Sequence, residues 1–232
     1  MGVQSQIDRI ITAVGNAYRK VSERGGTVPA SQTVANLAMA IDSIPAGGAT
    51  KPYIEEIYDS DGNLIDAKLY GYTKIRDSAF YNCENLAMTS LPEGITSIGQ
   101  YAFGSCTNLA LTSLPEGITS IRDSAFYNCE NLSLTSLPEG ITSIGKSAFD
   151  YCENLALTSL PKGITSIGYY AFAHCTGLTS LTFLGTPTSI ASIAVQNCTN
   201  LTTINVPWAE GAVANAPWGA TNATINYNYT GG

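Results

Sequence analysis

The chain is predicted to be mainly β and solenoidal, a stack of six short units closed at both ends, and three regularities say so. Cys83, Cys106, Cys129, Cys152, Cys175 and Cys198 recur at one unbroken interval of 23 residues. Other columns keep the same step: Phe80, Phe103, Phe126, Phe149 and Phe172 lie three before the cysteines, with Val195 closing the series, and Leu86 to Leu201 lie three after. A nearly constant segment, TSLPEGITSI, then returns at Thr89–Ile98, Thr112–Ile121 and Thr135–Ile144. A unit this short cannot bury its own apolar side, whereas stacked neighbours bury one continuous core.

Length and composition narrow the function classes. The 232 residues leave room for one elongated domain with small flanking pieces. With 11 Lys and Arg against 18 Asp and Glu the net charge is −7, and no basic cluster exists, so nucleic-acid binding is not expected. No apolar run is long enough to span a membrane, so none is expected to be inserted. The amino terminus, MGVQSQIDRIITAVGNAYRKV, mixes charge with apolar residues and lacks a signal peptide's core. Sec-type secretion is therefore not expected, and the protein is expected to stay inside or to leave as part of an assembly.

Six cysteines suggest disulfides, but residues one turn apart in a solenoid stack ~4.8 Å apart with parallel Cβ vectors, beyond the ~3.8 Å a disulfide prefers. A column of free, buried thiols is expected. A straight ladder does not converge on a metal, and neither metal nor cofactor is expected.

In chain order, residues 1–45 carry two amphipathic helical stripes. Ile7, Ile10, Ile11, Val14 and Tyr18 form the first, ended by Gly25-Gly26, and Val34, Leu37, Ala38, Ile41 and Ile44 the second, capped by Ser31. Such short helices need a partner, so a stem or attachment segment, and a possible homo-oligomer through it, is expected. Residues 46–51 read as a linker. Residues 52–72 alternate with period two around Asp61-Gly62, which predicts a β-hairpin covering the first open end. Its DSDGN run is like a calcium loop only superficially, because the glycine is misplaced and no closing glutamate follows.

The repeats occupy residues 73–207. In each, Leu91, Leu114, Leu137 and Leu160 point inward from a short strand, and Pro-x-Gly makes the next corner. The column Asn85, Asn108, Asn131, Asn154 and Asn200, interrupted by Gly177, is expected to bond backbone at the other corner. Val195 for Phe and Phe183-Leu184 for Leu-Pro read as decay of the sixth unit. Residues 208–232 form the far cap, with Trp208 and Trp218 over the core and TINYNYT as a terminal strand.

With those residues in hand, the unit I-x(3)-A-F-x(2)-C-x-N-L-x(2)-TSLPEGITSI resembles the BspA-like class of leucine-rich repeats. The resemblance implies a right-handed solenoid used for binding on bacterial surfaces, without enzymatic activity. The flanks, SQIDRIITAVGNAYRKVSERGGTVPASQTVANLAMAIDSIP and VPWAEGAVANAPWGATNATINYNYT, look like segments of phage and prophage tail-associated proteins of gut bacteria. That likeness implies a virion or tail-associated setting. The alternative is an extracellular adhesin that binds host proteins.

Three places invite chemistry. Glu93, Glu116 and Glu139 form a column continued by Lys162, which could be taken for a glycosidase pair but is expected to be a solvated column. His174, beside the inward Cys175, is expected to be an outward surface histidine. No nucleotide or zinc-protease motif is present, and no catalytic residue is expected. The units differ most around Ala-Phe-Cys, where Tyr81, Tyr101, Tyr127, Tyr151, Tyr169 and Tyr170 cluster. An outward tyrosine ridge that binds a protein or glycan on a cell surface is expected there.

Overall fold

The structure, a computed structural model, describes residues 52–231, so the helices expected over 1–45 and the linker over 46–51 lie outside the described residues. It begins with an antiparallel pair, β1 (Tyr53–Tyr58) and β2 (Leu64–Tyr70), with Tyr53 opposite Tyr70. The Asp59 carboxylate closes the turn by accepting the N–H groups of Asp61 and Asn63, each at 2.9 Å, and the Asn63 amide. That carboxylate is thus engaged within the turn as an Asx cap. Leu64, Ala67 and Leu69 face the core, and the Ala87 N–H donates to the Ile65 carbonyl at 2.8 Å. The hairpin is thereby bonded onto the first turn of the stack.

From there the chain winds as a β-solenoid, and each turn has three sides. The first is a parallel sheet of two-residue strands: β3 (Lys74–Ile75), β4 (Ser97–Ile98), β5 (Ser120–Ile121), β6 (Ser143–Ile144), β8 (Ser166–Ile167) and β10 (Ser189–Ile190). The register sets isoleucine against isoleucine from Ile75 to Ile190. This is the arrangement a 23-residue period imposes, because a slip of one residue would turn every Ile outward. The corner before it is a turn in which Ile95, Ile118, Ile141 and Ile164 donate to the carbonyl of the proline three residues earlier, at 3.0 to 3.3 Å. These isoleucines are buried as well.

The second side differs from the expected strand. At Leu91, Leu114 and Leu137 the segment is extended but carries no strand, and ordered pairing begins only with β7 (Ser159–Leu160). It continues through β9 (Ser180–Phe183), β11 (Thr203–Asn205) and β12 (Thr224–Asn226). The cause lies one turn on: Pro115, Pro138 and Pro161 stand where an N–H would donate to the carbonyls of Leu91, Leu114 and Leu137, and they have none. Where Phe183-Leu184 replaces Leu-Pro, the Leu184 N–H donates to the Leu160 carbonyl at 3.1 Å and the longest strand of this sheet forms. The substitution in the sixth unit is therefore a gain of pairing, not decay.

The third side, Ala-Phe-Cys, is a ladder of tight turns. Phe80, Phe103, Phe126, Phe149 and Phe172 each donate an N–H to an alanine carbonyl of the next turn, at 2.7 to 2.9 Å. Their rings form an inner stack with centroids 5.2 to 5.5 Å apart and planes within 6°. Beside it run the thiols, all free. Those of Cys106, Cys129, Cys152, Cys175 and Cys198 donate to the carbonyls of Phe80, Phe103, Phe126, Phe149 and Phe172, at 2.9 to 3.0 Å. Cysteine is thus more than a small apolar filler here, since it also supplies a weak donor. Among the described residues no α-helix occurs.

The asparagine column corrects its expectation. The Asn131 amide donates to Asn108 Oδ1 and that of Asn154 to Asn131 Oδ1, both at 3.2 Å, on the exposed surface. In-register stacking brings like amides together, so they pair with each other before reaching backbone. Past Gly177, Asn200 does reach backbone, donating to the Thr176 carbonyl at 2.8 Å. A Cβ on Gly177 would lie 2.6 Å from the Leu155 carbonyl, so close approach of two turns requires glycine there. At the far end Trp208 and Trp218 are buried with Phe183, ring centroids 5.2 to 6.2 Å apart. The terminal strand is limited to Thr224–Asn226 of the longer stretch expected.

Candidate recognition surface

The Ala-Phe-Cys side owes its outer shape to two corners per turn at which non-glycine residues take positive φ. One corner holds Ser78, Tyr101, Ser124, Ser147 and Tyr170, with φ of 51 to 57°. The other holds Asn82, Ser105, Asn128, Tyr151, His174 and Asn197, with φ of 56 to 62°. Asparagine tolerates this region, but a large side chain there is strained by roughly 1 kcal/mol. Tyr101, Tyr151, Tyr170 and His174 are held in it because turn-to-turn hydrogen bonds fix the backbone on both sides.

Of the six tyrosines expected on the ridge, four come together. Tyr81 and Tyr101 meet edge to face at 5.8 Å, and Tyr127 and Tyr151 at 6.1 Å. Gly104 makes room for the first pair, since a Cβ on it would sit 3.0 Å from the Tyr81 ring. Tyr81, Tyr101 and Tyr151 are exposed, whereas Tyr127 is half-buried. Burial, and then the neighbouring Asp150 carboxyl, push the Tyr127 phenol above its ordinary value. Tyr169 and Tyr170 take no part in these ring contacts: Tyr169 stands exposed at the edge of the β3–β10 sheet, and Tyr170 is half-buried.

His174 reaches the surface as expected, but half-buried and fully engaged by its neighbours. Its ring stacks on Tyr151 at 4.0 Å and 5°, and its side chain retains 28% exposure. Asn197 Nδ2 donates to Nε2 at 2.9 Å, which leaves the ring proton on Nδ1, 2.9 Å from Asp150 Oδ1. Asp150 is nearly buried; burial raises its carboxyl above the usual range, and the His174 contact pulls it partly back. Sequence spacing puts Tyr151, His174 and Asn197 in one corner column, but it could not reveal that Asp150, from the position before that column, reaches the His174 ring. The ridge is thus Tyr81–Tyr101 followed by Tyr127–Tyr151–His174.

The other candidates assemble nothing similar. Glu93, Glu116, Glu139 and Lys162 are all exposed along one corner. Among the described residues no group of three His, Cys, Asp or Glu is placed to hold a metal ion, and no helix is long and apolar enough to cross a membrane.

A stack of 23-residue turns with Ile, Phe, Cys and Leu columns inside defines a leucine-rich repeat scaffold. The family model described as a BspA type leucine rich repeat region matches six copies over residues 73–202, more than half of the chain, and the chain belongs to that family. Among solved structures it is similar to a T. pallidum leucine-rich repeat protein, with 23% identity, TM-score 0.50, and coverage of 75% of this chain and 96% of that one. It is also similar to a leucine-rich repeat protein from Bacteroides ovatus ATCC 8483, with 21% identity and TM-score 0.49 over 69% of this chain. It spans 47% of that chain's length. A leucine-rich cell surface protein from Faecalibacterium prausnitzii A2-165 matches over 69% of this chain and 72% of its own, with 19% identity and TM-score 0.31. At such identity the T. pallidum likeness speaks for the fold alone. No curated protein matches the chain.

Proposed function

We propose that the chain is a non-enzymatic recognition protein whose ridge, Tyr81, Tyr101, Tyr127, Tyr151 and His174, docks on a protein or glycan of a cell surface. The observation that carries this reading is the strained backbone under the ridge. Tyr101, Tyr151 and His174 occupy positive-φ corners that Ser or Asn occupy in other turns, so large side chains sit where the fold alone favours small ones. Tyrosine gives contact area and a polar tip at low entropic cost. The setting proposed is a phage or prophage tail, with residues 1–45 as attachment and oligomerisation segment, on the strength of the flanking sequences.

The test is binding of labelled protein to gut bacteria and to human epithelial cells or matrix. Tyr101→Ser and Tyr151→Asn install residues that the same corners already carry elsewhere, so the fold is retained. Combined with Tyr81→Ala, they are expected to weaken binding at least ~10-fold with the melting temperature unchanged. Selective staining of bacteria supports the tail setting, and staining of human cells or matrix replaces it with an adhesin. Unaltered binding by the triple variant removes the ridge.

A further inference from the structure

A groove of about 680 Å³ runs along the solenoid axis outside the β3–β10 sheet, crossing the turns of β5, β6, β8 and β10. Its floor is the serine column Ser120, Ser143 and Ser166, and its wall carries Arg122, Lys146 and Tyr169. From these observations we infer that the groove binds a linear polysaccharide lying parallel to the axis. The inference rests on the reading of the chain as a recognition scaffold, but on residues outside the ridge.

Period comes first. The floor repeats its hydroxyl once per turn, at the ~4.8 Å spacing of paired strands, close to the advance of one pyranose ring along an extended polysaccharide. An extended peptide advances ~3.4 Å per residue and falls out of step. It would also need free strand edges, and β5, β6 and β8 are each paired on both sides.

Chemistry agrees. Serine hydroxyls both donate and accept, as sugar hydroxyls require. Tyr169 is 56% exposed and offers a ring face for stacking with a hydroxyl beyond it. On the wall, the Asp123 carboxylate accepts the Lys146 N–H at 2.8 Å, and Arg122 lies 3.3 Å from Asp77. The wall is therefore polar and of mixed charge within a chain of net charge −7, which suits hydroxylated or uronic sugars better than a nucleic acid.

The experiment titrates the full chain with linear oligomers of β-1,4-glucose, of N-acetylglucosamine and of galacturonic acid in rising length, by calorimetry. At least one series is expected to bind more tightly with each added ring until the groove is filled, and then to level off. Tyr169→Ala and the groove-filling Ser143→Arg should each weaken that binding at least ~10-fold, while Glu116→Gln, on the exposed glutamate corner outside both groove and ridge, leaves it unchanged. Circular dichroism and melting of each variant separate loss of the groove from loss of the fold. Binding by none of the three series, or binding indifferent to both groove variants, overturns the proposal. If no oligomer binds while cells are still stained, the groove falls and the recognition reading stands; if oligomers bind in the groove and cells are not stained, the ridge falls and the groove stands.

Discussion

Five of the six cysteines, Cys106 to Cys198, combine a buried thiol with a hydrogen bond to a phenylalanine carbonyl, Cys83 is half-buried without one, and the acidity of all six follows from burial. Burial pushes Cys83 up to about 11 and Cys198 up to about 12, and holds Cys106, Cys129, Cys152 and Cys175 well above the ordinary thiol. An unfolded thiol ionises near ~8.5, so below that pH both states carry the proton and the thiols leave stability independent of pH. Above it the unfolded chain loses protons that the fold retains, and stability falls as pH rises toward the folded values. The slope is about 1.4 kcal/mol per pH unit for each thiol. Denaturant unfolding between neutral pH and about pH 10 should show this decline, and Cys198→Ser should flatten it by about one thiol's share. An unchanged slope in that variant would assign the alkaline loss to other groups. The free thiols and their column could be read from the 23-residue interval, but the S–H donation could not, because its acceptor is 26 residues away and belongs to the preceding turn.

Among the elements, the phenylalanine stack couples the turns most directly. Phe126 lies between Phe103 and Phe149 with both centroid distances at 5.5 Å, whereas Phe80 has one ring neighbour in the stack, Phe103 at 5.2 Å. Phe126→Ala removes a buried ring and two stacks, and is expected to cost about 3–5 kcal/mol. Phe80→Ala should cost less, by roughly the 0.5–1.5 kcal/mol of one aromatic pair. Equal losses in urea unfolding would mean that the rings act only by volume. The strands of the second side teach a complementary point. The leucines of TSLP were readable as inward, yet proline withholds the N–H a ladder needs, and pairing appears chiefly where the chain departs from its own consensus at Phe183-Leu184.

For the molecule as a whole, a stack of turns leaves two open ends. The described N-terminal end carries the hairpin, and the other is covered by β12 and the pair Trp208 and Trp218. Trp218 falls one period after Val195 and accepts its N–H at 3.0 Å, so the cap continues the phenylalanine column into a further turn. Deleting residues 208–232 strips β11 of its outer partner and uncovers Phe183, Ile204 and Val206. Such an edge pairs with other chains. The truncated protein is expected to self-associate in sedimentation at concentrations where the full chain does not, and a well-behaved truncation with unchanged melting would show the cap to be dispensable. The period, the inward columns and the proline corners were legible in the chain alone, because they follow from local geometry repeated in register. Side-chain contacts across neighbouring turns were decided only when the turns stacked: the pairing of the asparagine amides with one another, the Asp150–His174–Asn197 cage on Tyr151, the split of the tyrosines into a ridge and a groove wall, and the groove itself. Those depend on how far each side chain reaches across to the next turn and on which partner it meets there, and the period fixes only the column in which a residue stands.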